Sequence, residues 1–269
     1  MNLVQAIFLG LVQGLTEFIP VSSSGHLVLA QHFLGIESSA DISFEIFMHL
    51  GTLLAVVIYF RKQLWELSVS LFQWKDSLEG ETHRKNRATI VYLIVATFAT
   101  GIFYLIFKDA LKNAYMNPVF VAAMLIITGA VIFASDFAKN TSIPSSNTGF
   151  IKATLIGLAQ GVAIIPGISR SGSTIAASLF CGIKRRDAAH FSFLLSIPAI
   201  LAANIGELGA LTNMDASILP MYISGFVASF FSGYLVIAFL IRLIQAGSLK
   251  YFAYYVWLVA IVAIVLLMF

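Results

Sequence analysis

The chain reads as an all-α, polytopic membrane protein with six transmembrane helices and two re-entrant helical hairpins, arranged as an inverted-topology repeat. Three observations predict this. Hydrophobic residues make up 59% of the chain and charged residues 11%, with a mean hydropathy of +0.92, whereas a soluble domain carries about 25% charge. Apolar windows recur near the ~20 residues that a helix needs to cross a bilayer, with no alternating strand pattern beside them. A motif near the N-terminus also returns past the middle of the chain, followed by the same succession of segments. The whole of residues 1–269 is read as a single integral membrane domain, with repeat one at about 1–136 and repeat two at about 150–269.

The opening stretch, "MNLVQAIFLGLVQGLTEFIP", lacks a basic start and a small-residue cleavage site, and Gln5, Gln13 and Glu17 interrupt its apolar face. It is therefore expected to be mature structure rather than a cleaved signal. Residues 3–19 and 26–34 are each too short to span and are separated by Pro and Gly. Such a pair predicts a re-entrant hairpin, tolerated where protein or a water-filled cavity satisfies its backbone. Windows including 42–60, 90–107 and 119–134 then predict full spans. The second unit opens with another short, broken pair, 151–165 and 173–180, and continues into long apolar segments that include 218–241 and 252–269.

"GLVQGLTEFIPVSSSGH" from Gly10 is answered by "GLAQGVAIIPGISRSGS" from Gly157, sharing two Gly, one Gln, one Pro and a Ser/Gly-rich turn with one residue of slippage. Lysine and arginine set the orientation. The stretch "RKQLWELSVSLFQWKDSLEGETHRKNR" is the most basic part of the chain and is placed in the cytoplasm. Counting spans puts "DFAKNTSIPSSNTGFIK", "KRRD" and "RLIQAGSLK" on that same side, and both termini on the periplasmic or extracellular side. Three spans separate the two hairpins, so they enter from opposite faces and their tips are expected to meet near the midplane.

The tips hold the chemistry. A charge at the bilayer centre costs about 2.5–3.5 kcal/mol on insertion scales and is a functional hypothesis by default. Arg170 stands at one tip and Glu17 just before the other. Pairing them explains two charges, but not the hydroxyls of Ser22, Ser23, Ser24, Ser169, Ser171, Ser173 and Thr174. A guanidinium fork flanked by serines at a helix start suits phosphate oxygens, and Gly167 and Gly172 are expected to let backbone approach the ligand, with the helix beginning after Gly172. Gln13 and Glu17 lie i, i+4 on one helical face, where amide oxygen and carboxylate could share a divalent ion such as Mg2+. His26 can exchange protons near neutral pH. Glu45 and His49, also i, i+4, read as an interfacial pair or a supporting contribution to the site. His32, Asp41, Asp187 and His190 lie near span ends, where capping or snorkelling accounts for them. The lone Cys181 excludes an intrachain disulfide and a multi-thiolate metal site and reads as a small packing residue. No basic stripe suggests a nucleic-acid partner.

At these residues the chain resembles the undecaprenyl-diphosphate phosphatase family, bacterial membrane enzymes also called bacitracin-resistance proteins. The resemblance rests on an [E/Q]-x-x-x-E motif, here Gln13 to Glu17 followed by "FIPVSSSGH", and on "PGISRSGST", and it covers essentially the whole chain. It implies removal of the terminal phosphate from undecaprenyl diphosphate, releasing the carrier lipid for wall polymers, assisted by Mg2+ or Ca2+. The family's important residues map onto Glu17, Ser23, His26, Ser169, Arg170 and Thr174, with Gln rather than Glu at position 13. Water, His26 and Ser23 all remain open as nucleophile. The partners implied are a polyprenyl diphosphate lipid and the bilayer; oligomeric state is not read from the chain, and a homodimer is compatible with it. The main rival is an inverted-repeat transporter or flippase of a polyprenyl phosphate lipid. Another class of lipid-phosphate phosphatases requires a histidine where this chain has Ala176.

Overall fold

The computed structural model describes residues 1–36, 42–73, 78–111, 117–139, 141–207 and 216–269. Asp41, expected near a span end, and the stretch 208–215 lie outside them. The described residues are helical throughout, apart from turns and one isolated bridge between Ile143 and Ile183. Two short helices open the chain: α1 (Leu3–Phe18), begun by an Asn2–Gln5 capping box, and α2 (Ser23–Phe33). Then follow α3 (Ile42–Tyr59), α4 (Arg61–Ser70), α5 (Leu78–Leu111) and α6 (Pro118–Ser135). The second half follows a like order without a counterpart of α4: α7 (Phe150–Val162), α8 (Arg170–Phe180), α9 (Arg185–Glu207), α10 (Leu219–Ala246) and α11 (Lys250–Met268).

Among the described residues, five helices, α5, α6, α9, α10 and α11, are long and apolar enough to cross a membrane, and α3 qualifies together with α4, from which it is bent by 70°. The chain is thus an all-helical, multi-pass membrane protein. The basic stretch after α3 is largely helical rather than a loop. Arg61 ends the apolar run, donating from Nη1 to the Ile58 carbonyl (3.0 Å), and α4 turns away. It is stitched to the start of α5 through Ser70, whose hydroxyl meets His83 Nδ1 (2.8 Å) and accepts from Asn86 Nδ2 (3.0 Å). These side-chain bonds let a polar segment stay helical beside a partner instead of unravelling.

The two halves interlock. The first short helix of each packs along the middle long helix of the other, α1 on α10 and α7 on α5, while α3 pairs with α9 and α6 with α11. Glycines recurring in the sequence repeat make this approach possible. A Cβ at Gly10 or Gly14 would overlap α10 at Gly225, Ala228 or Ser232, and one at Gly157 or Gly161 would overlap α5 at Ala96 or Phe103. Close backbone approach between membrane helices is driven by packing and interhelical hydrogen bonds rather than by water exclusion. Accordingly, Thr100 of α5 donates to the Gly157 carbonyl (2.9 Å) and accepts from Gln160 Nε2 (3.1 Å).

Three of the segments that the charge pattern assigned to one side, around Asp136, Arg185 and Lys250, are bonded together. Asp136, following α6, accepts from Ser248 Oγ (2.6 Å), from the Leu249 and Lys250 amides (both 2.9 Å) and from Arg185 Nη1 (3.1 Å). Asp187 accepts from the Ser145 amide (3.2 Å), and Lys184 N–H bonds the Ile143 carbonyl (2.9 Å). Burial works to raise the Asp136 pKa, but the four donors outweigh it and hold the carboxyl below its ordinary value.

Candidate active site

Both tips are helix starts. Ser22 caps α2 and Ser169 caps α8, each hydroxyl accepting from the N–H three residues on, Gly25 (3.2 Å) and Gly172 (3.0 Å). The helices therefore begin at Ser23 and Arg170, three residues earlier than the sequence suggested, because a capping serine overrides the helix-breaking tendency of a glycine in the first turn. Ser22 adopts a φ of +72°, unusual for a residue with a Cβ. Its carbonyl accepts from the His26 amide (3.2 Å) and also receives His26 Nδ1 (2.8 Å).

Glu17, at the end of α1, is the hub where the tips meet. One carboxylate oxygen takes Arg170 Nη2 at 2.5 Å; the other accepts from Ser23 Oγ (2.6 Å) and Gln13 Nε2 (2.9 Å). Glu17 is 7% exposed and Gln13 fully buried. Two buried polar atoms here lack a hydrogen-bond partner among the described residues, Arg170 Nη1 and Gln13 Oε1. Leaving a buried donor unsatisfied costs about 1–3 kcal/mol, more for a charged group, so both atoms are open to a further partner. The described residues contain no cluster of three His, Cys, Asp or Glu side chains suited to a metal.

The sequence-predicted residues divide by what they touch. Gln13, Glu17, Ser23 and Arg170 form one connected network. His26 lies one turn beyond Ser23 on the same face of α2, and Ser173 lies likewise beyond Arg170 on α8, half-buried. The other hydroxyls hold the tips together. Ser171 Oγ donates to the Ile19 carbonyl (3.0 Å), Ser24 Oγ accepts from the Gly167 amide at 3.5 Å, and Thr174 Oγ1 bonds Ser192 Oγ of α9 (2.6 Å). Gly167 and Gly172 admit neighbouring protein. A Cβ on Gly167, whose φ is +91°, would meet Val121 and Met124 of α6, and one on Gly172 would crowd Ser169 and Ile132. At Glu45 and His49, His49 Nδ1 bonds the Glu45 backbone carbonyl (2.8 Å), and the Glu45 carboxylate accepts from Gln31 Nε2 (3.3 Å).

Three participants carried no local signal. Thr128 of α6 donates to the Gly167 carbonyl (2.8 Å) and accepts from the Ser169 amide (3.0 Å), fixing the second tip. Ser192 anchors Thr174. Tyr255 of α11 meets His26 Nε2 at 3.0 Å. None stands in a motif that marks it, and only long-range packing identifies its partner.

The sequence profile of a family described as bacitracin resistance protein BacA matches residues 6–262. Among similar proteins, the undecaprenyl-diphosphatase of Treponema denticola is 43% identical over 258 residues, covering 95% of this chain and 94% of that protein. Those of Methanosphaera stadtmanae and Rubrobacter xylanophilus are each 39% identical, the first over 99% of this chain and 98% of its own, the second over 100% of both. With the profile spanning nearly every helix and relatives aligned end to end, this chain belongs to the bacitracin resistance protein BacA family.

Proposed function

We propose that the protein hydrolyses the phosphoanhydride of undecaprenyl diphosphate, releasing inorganic phosphate and undecaprenyl phosphate, the carrier lipid reused in wall synthesis. End-to-end similarity to undecaprenyl-diphosphatases supports the substrate. The observation that carries the chemistry is Arg170: Nη2 is held by Glu17, while Nη1 is buried without a protein partner among the described residues. A guanidinium anchored on one nitrogen and open on the other presents an oriented donor to a phosphoryl oxygen. Two helix N-termini, of α2 and α8, start at the same place and add positive potential. Phosphoryl transfer depends mainly on such positioning and charge stabilisation.

Ser23 Oγ, already donating to Glu17, is the nucleophile the geometry favours, with Glu17 as the acceptor of its proton. Attack on the terminal phosphorus breaks the bond to the bridging oxygen, which leaves with the lipid monophosphate. Water then cleaves the phosphoserine, and His26, one turn from Ser23, handles the proton. Glu17 and Arg170 offset each other's charge, so a diphosphate brings uncompensated negative charge into a low-dielectric site. A divalent cation, Mg2+ or Ca2+, fits that need: Gln13 Oε1 is a buried acceptor without a partner among the described residues, beside the Glu17 carboxylate, and Mg2+ is ordinarily held by one or two carboxylates with substrate phosphates. Gln13 and Glu17 would hold it, and it would supply Lewis-acid charge to the phosphoryl oxygens.

The interlocked halves and like helix order support an inverted-topology repeat with two re-entrant hairpins and six spans. The bonding together of the segments around Asp136, Arg185 and Lys250 supports a cytoplasmic face there, both termini outside and a site reached from the outer face of the bacterial cell membrane. The test is phosphate release from undecaprenyl diphosphate by detergent-purified protein, where a transporter would release none. Wild type is expected to turn over, with a chelator suppressing release and Mg2+ or Ca2+ restoring it. Arg170→Ala and Glu17→Ala should elute as folded protein and lose at least about 100-fold in rate. Normal turnover by either variant would refute the site.

A further inference from the structure

We infer that Tyr255, on the last helix, is a positioning residue for His26 that holds the orientation of its imidazole ring for proton transfer; the inference rests on the phosphatase reading above. The first observation is the anchoring of Nδ1. It lies 2.8 Å from the Ser22 carbonyl, which can only accept, so Nδ1 carries the hydrogen. The neutral ring then has one basic nitrogen, Nε2, and the Tyr255 hydroxyl stands 3.0 Å from it and donates. The second observation is independent of hydrogen bonding: the two rings stack with centroids 5.6 Å apart and planes 6° from parallel. Stacking fixes the plane of the imidazole, the Ser22 carbonyl fixes one edge, and the hydroxyl fixes the other.

The strained backbone of Ser22 belongs to this arrangement. Its φ of +72° accompanies a carbonyl that serves both the His26 amide and the His26 ring. Strain of this kind persists where surrounding contacts over-determine it. Tyr255 comes from the opposite end of the sequence to His26, and α11 and α2 both pack on α6 through Val21, Leu29, Leu125 and Val256. The C-terminal helix thus contributes a residue to a site built mainly from the two tips.

Tyr255→Phe removes the hydroxyl and keeps the ring. The expected result is a kcat about tenfold lower with KM unchanged, the loss of one orienting hydrogen bond in the transition state, and an unchanged Tm. In parallel, nitrogen-15 NMR of histidine-labelled protein reads the ring directly. Wild-type His26 should show a protonated Nδ1 and a hydrogen-bonded, unprotonated Nε2, and in Tyr255→Phe the Nε2 signal should move. Wild-type kcat in the variant, or a change confined to KM, overturns the inference. Were wild type itself to release no phosphate, the phosphatase reading would fall separately, and the ring signals would still decide the pairing: an Nε2 resonance indifferent to the hydroxyl overturns it.

Discussion

Burying a guanidinium and a carboxylate together is costly unless each is fully hydrogen-bonded. Glu17 meets that condition through Arg170, Ser23 and Gln13, whereas Arg170 keeps Nη1 unpaired among the described residues. The asymmetry gives a prediction about shape rather than charge. Arg170→Lys retains the positive charge but supplies a single ammonium that cannot hold Glu17 and a phosphoryl oxygen in one rigid fork. We expect folded protein with phosphate release reduced about 100-fold, measured in the same detergent assay; activity within a few-fold of wild type would mean that charge alone suffices. At this scale the sequence was highly informative, because an ionisable residue in an apolar chain is conspicuous. It singled out Glu17 and Arg170, which the structure brings together, and the small polar residues around them. It could not separate hydroxyls facing the site, such as Ser23, from those that hold the turns together, such as Ser22, Ser169, Ser171 and Thr174. Both kinds look alike until their partners are known.

The short helices are placed by glycines that serve two different purposes. Gly14 sits where α1 touches α10, and an added Cβ would overlap Ser232 Oγ and come within 2.8 Å of the Gly233 nitrogen. Gly101, in α5, has open space around it, with nothing within 4 Å of where a methyl group would stand. Alanine should therefore have opposite effects at the two sites. Gly14→Ala is expected to destabilise by about 1–3 kcal/mol through overpacking, and Gly101→Ala to stabilise by up to about 1 kcal/mol through backbone entropy. Thermal unfolding in detergent reads both, and equal shifts would contradict the α1–α10 contact. The glycine pairs were visible as the repeated G-x-x-Q-G pattern, yet their meaning required a partner helix. The same limit explains α4. Its charges resemble a loop, and it is helical because Ser70, His83 and Asn86 bind it to α5.

Across the whole molecule, Asp136 ties the ends of α6 and the starts of α9 and α11 into one polar junction. Its carboxyl is held below the ordinary aspartate value of 3.8. A depressed carboxylate contributes stability that is present in full above the unfolded value and lost as pH falls through the folded one. Asp136→Asn should therefore lower Tm at neutral pH, by a loss of about 2 kcal/mol for the charged hydrogen bonds. The gap between variant and wild type should narrow as pH drops below 3.8; a gap independent of pH would exclude the charge as its cause. Hydropathy and periodicity by themselves determined a helical membrane protein, and the recurring motif made its polar tips visible. Those properties follow from local composition and from the bilayer's demand that each helix satisfy its own backbone. Which tip residue meets which, that α1 lies on α10, that Thr128 steadies the second tip and that Tyr255 faces His26 were decided only by the tertiary structure. Such contacts join residues far apart in sequence, and their energies depend on packing complementarity that no local pattern encodes.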